Sequence, residues 1–134
     1  MLADGRLSLA ELGERVNLSS PAVKRRIDRL RATGVVTGFT ALVDPAALGQ
    51  HTEAFVEIYC SENTSPSALR ETLLSEHEVL AAYTVTGEAD AFVHLLATDV
   101  AQLEATLERI RANPGIARTK TIIVLSRLIR RQEP

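Results

Sequence analysis

Three observations predict an α+β protein built in two parts. Residues 8–16 and 20–33 are short amphipathic stretches separated by a break at Asn17-Leu18-Ser19. From residue 52 onward, apolar β-branched runs alternate with helical runs in the order β-α-β-β-α-β. Charge divides the same way: residues 1–45 carry seven Lys and Arg against five Asp and Glu, whereas residues 46–134 carry eight against twelve. Two short helices joined by a tight turn make a helix-turn-helix, and βαββαβ is the split-βαβ, ferredoxin-like arrangement. The expectation is an N-terminal (winged) helix-turn-helix head with a β linker over residues 1–45 and a ferredoxin-like body over residues 46–134.

The head begins with a turn at Asp4-Gly5. Ser8 and Glu11 have the spacing of a capping box, a hydroxyl at the cap answered by a carboxylate three residues later. The helix that follows places Leu9, Leu12 and Val16 on one face. Asn17 tolerates the left-handed conformation a tight turn needs. The second helix is expected to start with Ser20 as cap and Pro21 at the first helical position, where no backbone donor is required. Val23, Ile27 and Leu30 form its apolar stripe, and Lys24, Arg25, Arg26, Arg29 and Arg31 surround it, opposed by Asp28 alone. A short helix with a buried stripe and a basic exposed face suits a DNA major groove, although an ordinary solvated helix can look the same. Gly34 closes the helix as a left-handed cap. Residues 35–43 read as a strand or strand pair, and Asp44-Pro45 to Gly49-Gln50 as a turn-rich linker.

In the body, residues 52–60 form a first strand. Ser65-Pro66 starts a helix running to about His77, with Leu69, Leu73 and Leu74 inward. Strands at 79–86 and 90–97 are separated by Gly87-Glu88-Ala89, so they must form an antiparallel hairpin. Asp99 caps a second helix with Val100, Leu103, Leu107 and Ile110 inward, Asn113-Pro114-Gly115 stops it, and residues 116–127 form the last strand. This order gives a four-stranded antiparallel sheet with both helices on one face. Phe55, Val56 and Ile58, and Ile122, Ile123 and Val124, keep both faces apolar, so the uncovered face is expected to join a second copy of the chain.

Composition excludes several classes. A chain that is 46% hydrophobic and 24% charged, with net charge −2, is foldable and not a wholly basic nucleic-acid binder. The single cysteine, Cys60, permits no internal disulfide and reads as a small core residue. No apolar stretch approaches the roughly 18 residues that span a bilayer, and the N-terminus lacks a secretory pattern. A soluble cytoplasmic protein is expected, without membrane contact. His51, His77 and His94 share no ligand spacing, and glycine-rich phosphate loop, nucleophile elbow and HExxH are all missing from the sequence. No metal, cofactor or enzymatic activity is expected. Glu53 and Glu57 read as solvated.

The order of parts and their residues resemble the Lrp/AsnC, or feast/famine, transcription regulators. In the head the likeness rests on Asp4-Gly5-Arg6, Ser8, Glu11-Leu12, Val16, Leu18-Ser19, Arg25-Arg26-Ile27, Arg29-Leu30, Gly34-Val35-Val36, Gly38-Phe39 and Asp44-Pro45. In the body it rests on Val85 to Asp90, Pro114-Gly115-Ile116 and Thr119 to Val124. The resemblance implies a DNA-binding head on an effector-binding and oligomerising body. It further implies an amino acid as usual effector, bound near subunit contacts, and homodimers that assemble further, an octamer included. Members of the family carry a further helix of roughly 15–20 residues ahead of the Asp-Gly-Arg turn, which would end about where Met1-Leu2 stands. The head as it stands is expected to be incomplete, because Leu9, Leu12, Val16, Val23, Ile27 and Leu30 need a third surface to bury them; a start upstream of Met1, a truncated head and cover from a neighbouring subunit all fit the sequence.

For DNA, Ser19, Ser20 and Ala22 lie at the helix end that enters the groove, and Ser20 is placed to donate to a phosphate. Lys24 and Arg25 are the candidates for base edges. Arg26 and Arg29 suit phosphates, or Arg26 pairs internally with Asp28 or Glu11. For the effector, the stretch Thr86-Gly87-Glu88-Ala89-Asp90 is either a plain hairpin turn or a pocket. In the pocket reading Gly87 lets a carboxylate approach backbone N–H groups, Glu88 belongs to the same turn, Asp90 balances an ammonium, and Thr119 and Thr121 add hydroxyls. The function expected is a transcription regulator responding to an amino acid or related small molecule. The alternative is an effector-binding and oligomerising module that does not bind DNA by itself because its head is truncated.

Overall fold

A computed structural model describes residues 4–129. Met1-Leu2, and residues 130–134 of the expected body, lie outside them. The described residues divide into two compact units, one reaching to Leu42 and including Ile129, the other spanning Val43–Leu128.

In the head, α1 spans Leu9–Val16 and opens with the expected capping box. The Glu11 amide donates to Ser8 Oγ (3.2 Å) and the Ser8 amide to Glu11 Oε2 (2.7 Å). These bonds favour the charged carboxylate and hold the Glu11 pKa below its ordinary value. Asn17 closes the helix in the left-handed region at φ 54°. Gly13 is buried where the turn folds back: the Leu18 amide donates to its carbonyl at 2.9 Å. A Cβ on Gly13 would collide with the Leu18 carbonyl oxygen, so this position admits no side chain.

The second helix, α2, spans Ser20–Ala32. Its cap is Ser19, one residue earlier than expected: Ser19 has extended dihedrals and its Oγ accepts from the Ala22 amide at 3.4 Å. Ser20 is then the first helical residue and Pro21 the second, still within the turn whose N–H groups have no intrahelical partner. Gly34 is left-handed at φ 75°, as the helix end requires. Residues 35–43 form no strand, contrary to the β linker expected there. The Val36 amide turns back to the Leu30 carbonyl (3.0 Å), and the residues beyond find no ladder partner among the described residues. β-Branched composition favours extended backbone, but a strand exists only where another edge pairs with it. Val23 and Gly13 are the buried positions of the two helices, while Leu9, Val16 and Leu30 remain 37%, 54% and 37% exposed. Among the described residues the two helices leave the apolar stripe half covered.

The body opens with a 3-10 turn, Pro45–Leu48, in which Asp44 accepts from the Ala46 amide. Its strands are β1 (Thr52–Cys60), β2 (Val79–Thr84), β3 (Ala91–Ala97) and β4 (Ile116–Ile123). Its helices are α3 (Pro66–Leu74), capped by Ser65, and α4 (Val100–Arg111), capped by Asp99. The sheet runs β2-β3-β1-β4 with every pair antiparallel, the arrangement expected of βαββαβ. Ala54, Val56 and Ile58 of β1 and Ala91, Val93, Leu95 and Ala97 of β3 are buried with Leu69, Leu73, Leu103, Leu107 and Ile110 of the helices. Cys60 packs half-buried against this core, as expected.

Several positions differ from expectation: β2 ends at Thr84 and β3 begins at Ala91, inside the expected 79–86 and 90–97. α3 stops at Leu74, which is 65% exposed and lies outside the core. Val100 is 58% exposed, and Thr106, fully buried, takes the inward place; its hydroxyl donates to the Gln102 carbonyl at 2.9 Å. A threonine is admissible there because the bond lies within its own helix. β4 ends at Ile123 and not Arg127: the last Cα pair is Ala54–Ile123, and beyond it the Val124 amide donates to the Glu53 carbonyl. No helix among the described residues is long and apolar enough to cross a membrane.

Ile110→Ala should lower stability in urea unfolding by about 3 kcal/mol, as a large-to-small change at a closed core site does. Leu74→Ala should stay within about 0.5 kcal/mol. Because the Glu11 pKa is depressed in the folded head, the contribution of its capping box is full above about 4.3 and fades as pH falls through the lower folded value. The protection factor of the Ser8 amide, its exchange rate corrected for the intrinsic base-catalysed rate at each pH, should fall across that range.

Candidate functional site

On α2, Ala22, Arg26 and Arg29 recur at i, i+4 and i+7 and share a stripe beside the buried Val23–Ile27 face. Arg25 and Arg31 are also exposed, and Ser19 stands at the helix end. Ser20 and Ala22 are half-buried at that end. Lys24 is engaged: its Nζ lies 2.8 Å from Asp28 Oδ2 in an exposed i, i+4 pair. Arg26 pairs with neither Asp28 nor Glu11, and no ion pair involves Arg25, Arg26 or Arg29 among the described residues. Their guanidinium groups stand in water along the helix, from its second turn at Arg25 and Arg26 to its last turn at Arg29, an arrangement that can bind phosphate oxygens or base edges. The exposed Lys24–Asp28 pair is worth little and can exchange partners.

In the body, alternation along the strands puts Glu53, Phe55, Glu57 and Tyr59 of β1 on the face opposite the helices, across from Phe92 and His94 of β3 and Arg118, Lys120 and Ile122 of β4. This open face is ordered by its own contacts. The Phe55 ring stacks on Phe92 (5.4 Å) and on His94 (4.6 Å). His94 Nε2 lies 2.7 Å from Glu53 Oε1, and Arg127 reaches Glu53 Oε2 at 3.5 Å. Glu57 Oε2 accepts from the Tyr59 hydroxyl at 3.3 Å and lies 3.5 Å from Lys120 Nζ; the Arg118 guanidinium covers the Tyr59 ring at 3.9 Å. Glu53 and Glu57 are thus half-buried and paired, not simply solvated.

Where this face meets the β2–β3 hairpin there is a hollow of about 440 Å³. It is lined by Glu57, Tyr59, Phe92 and Lys120 below and by Val85, Thr86, Gly87, Glu88 and Ala89 at the rim. The structure therefore brings Gly87 and Glu88 to a concave site but separates them from the other expected ligand residues. Thr119 and Thr121 pair with Ile58 and Val56 and so lie on the helix side of the sheet. Asp90 is occupied: its Oδ2 accepts from the Cys60 amide at 2.7 Å, and its own amide donates to the Ile58 carbonyl at 2.9 Å. It ties the hairpin to the end of β1 and does not line the hollow. Glu57, Tyr59, Phe92 and Lys120 escape a reading confined to motifs; they emerge only when the cross-strand register is known. Cys60, beside Asp90, has its thiol pKa pushed up by burial and then by the Asp90 charge, which suits an inert packing residue. No group of three metal-ligating side chains exists among the described residues.

The winged helix-turn-helix DNA-binding domain matches residues 1–37, and the Lrp/AsnC ligand-binding domain matches residues 53–134. The chain belongs to the Lrp/AsnC family. It is 49% identical over 129 residues to the HTH-type transcriptional regulator Rv2324 of Mycobacterium tuberculosis, covering 96% of this chain and 87% of that protein. It is 36% identical to the regulator LrpA of the same organism, over 94% of this chain and 83% of the relative. Among solved structures it is similar to Escherichia coli AsnC, with TM-score 0.90 and 27% identity over 97% of this chain and 88% of that one. It is also similar to the M. tuberculosis feast or famine regulatory protein Rv3291c complexed with L-methionine, with TM-score 0.88 and 34% identity, covering 99% and 90%. This Lrp/AsnC protein is accordingly a helix-turn-helix transcription regulator with a ferredoxin-like ligand-binding domain.

Since Asp90 holds the end of β1 in place, Asp90→Ala should cost about 1 kcal/mol of stability, a charged hydrogen bond discounted for exposure. Urea unfolding of the variant measures this directly, without any ligand.

Proposed function

We propose that this Lrp/AsnC regulator reads operator DNA with α2 and senses an amino acid in its body. Ser19, Ser20 and Ala22 enter the groove end first; Lys24 and Arg25 address base edges; Arg26 and Arg29 hold phosphates. The observation that carries this is the row of guanidinium groups along the exposed side of a serine-capped α2, without an ion-pair partner among the described residues. The effector site is the hollow under Gly87 and Glu88, and the complex of the related Rv3291c with L-methionine supports an amino acid as its occupant.

Two copies join through the open face of the sheet and assemble further, in the cytoplasm where the operator lies. Ile122 and Tyr83 stay 47% and 59% exposed there, beside the half-buried Phe55 and Phe92. The face mixes these apolar groups with the Glu53–His94 and Glu57–Lys120 pairs, and its exposed apolar part is suited to a partner surface. Effector occupancy then biases the packing between copies, and hence the presentation of the heads, by its differential affinity for the two assemblies.

The half-exposed stripe of Leu9, Val16 and Leu30 favours a second reading, in which this chain oligomerises and binds effector without gripping DNA until its head is covered. Electrophoretic mobility of promoter DNA, with this chain and with a version extended upstream, separates the two. If neither shifts DNA at low salt, the regulator reading fails. Where binding occurs, Arg29→Ala should reduce the slope of log K against log salt by about one unit, the signature of a lost phosphate contact. An unchanged slope would remove Arg29 from the phosphate-binding set.

A further inference from the structure

We infer that Asp28 is a specificity-determining residue of α2: its outward carboxylate oxygen accepts from the exocyclic amino group of a cytosine in the major groove, and it disfavours duplexes that offer no donor there. The inference rests on the DNA reading above and assigns one of its base contacts. Pro21, Arg25, Asp28 and Ala32 recur at i, i+4, i+7 and i+11, and all four are exposed. The helical repeat sets them along one ridge, opposite the buried Val23. Arg25 and Asp28 therefore enter a groove together. Asp28 is the one acid on α2.

A carboxylate on that ridge weakens a helix that holds a polyanion by charge alone, because it meets phosphates and the acceptor atoms of base edges. It becomes favourable only against a donor, and base amino groups are the donors of the major groove. Asp28 is placed to use one. Its side chain is 53% exposed, and its bond from Lys24 Nζ, at 2.8 Å, falls on Oδ2; Oδ1 has no partner among the described residues. Lys24 reaches it from the flank, where both residues border the hollow of the head beside Leu9, Leu12 and Ile27. An ammonium donor and a carboxylate acceptor thus stand side by side. A G·C pair presents the complement: guanine O6 accepts, and the neighbouring cytosine N4 amino group donates. The adenine amino group fits worse, since adenine N7 and thymine O4 flank it with acceptors that would repel the carboxylate from both sides. Cytosine N4 has such a neighbour on one side only. On a duplex with no donor in this place, Asp28 repels and keeps Lys24 to itself, so it acts by rejection as much as by attraction.

The test is selection, at low salt, of duplexes with a randomised core by the full chain, or by the version extended upstream where only that shifts DNA, followed by titration of the selected duplexes. The wild-type protein should enrich a G·C pair whose change to A·T weakens binding about tenfold. Asp28→Ala should bring that ratio close to one, tighten binding to unselected duplex, and keep the preferences at other positions. Asp28→Asn should move the preference at the same position from cytosine to adenine, whose edge an amide contacts with both of its groups. A pair that serves only the helix would change affinity for all duplexes alike. Asp28→Ala with the wild-type discrimination ratio therefore overturns the assignment, as does dependence on Asp28 for any base other than cytosine. The wild-type arm needs no variant: a protein that binds DNA without enriching such a G·C pair overturns the assignment by itself. A protein that shifts no DNA at low salt, extended or not, overturns the DNA reading itself.

Discussion

β1 lies between β3 and β4, and burial of Ala54, Val56 and Ile58 beneath the helices forces Glu53, Phe55, Glu57 and Tyr59 onto the opposite face. A strand slipped by one residue would put the carboxylates in the core, which the low dielectric there forbids. From this one constraint follow the Phe92–Phe55–His94 stack, the Glu53–His94 pair, and the Glu57–Lys120 pair beside the hairpin. The Asp90 carboxylate pins the far end of the same strand by taking the Cys60 amide, so the hairpin carrying Gly87 is fixed to the sheet it overhangs.

The two parts of the chain are stabilised differently. The body closes a core of aliphatic side chains between one sheet face and two helices, with no buried polar side-chain atom lacking a partner among the described residues. The head relies on local chemistry: a capping box at Ser8, an asparagine in the left-handed region, a glycine against which the turn can fold, and a serine cap at position 19. Such devices set helix ends but bury little area, and Leu9, Val16 and Leu30 keep much of theirs in water. α2 buries Val23 within the head and leaves Arg25, Arg26 and Arg29 in water.

Most of the architecture was legible because it is written in short-range patterns. The helix starts at Ser8, Ser65 and Asp99, the break at Asn17, the hairpin at Gly87 and the βαββαβ order all depend on neighbours within a few residues. The misses share a cause. Ser20 was one residue from the true cap because two serines precede Pro21, and either can accept a first-turn N–H. Residues 35–43 have strand composition but no partner edge among the described residues, and β4 stops pairing at Ile123 although its β-branched composition runs on. Leu74 and Val100 fit an apolar stripe by spacing, yet each sits at a helix end beyond the reach of the sheet.

The sequence by itself determined the division into a basic head and an acidic body, the order and kind of the elements, and the family to which they belong. The tertiary structure decided which of the suspected residues could meet. Thr119 and Thr121, two apart, do share a face, but the register of β4 against β1 turns that face toward the helices. Asp90 stands within the hairpin motif, but a backbone amide thirty residues earlier claims its carboxylate. Glu57 and Lys120, which no motif joins, become neighbours across two strands. Spacing along a chain fixes periodicity; only strand pairing converts periodicity into a shared site.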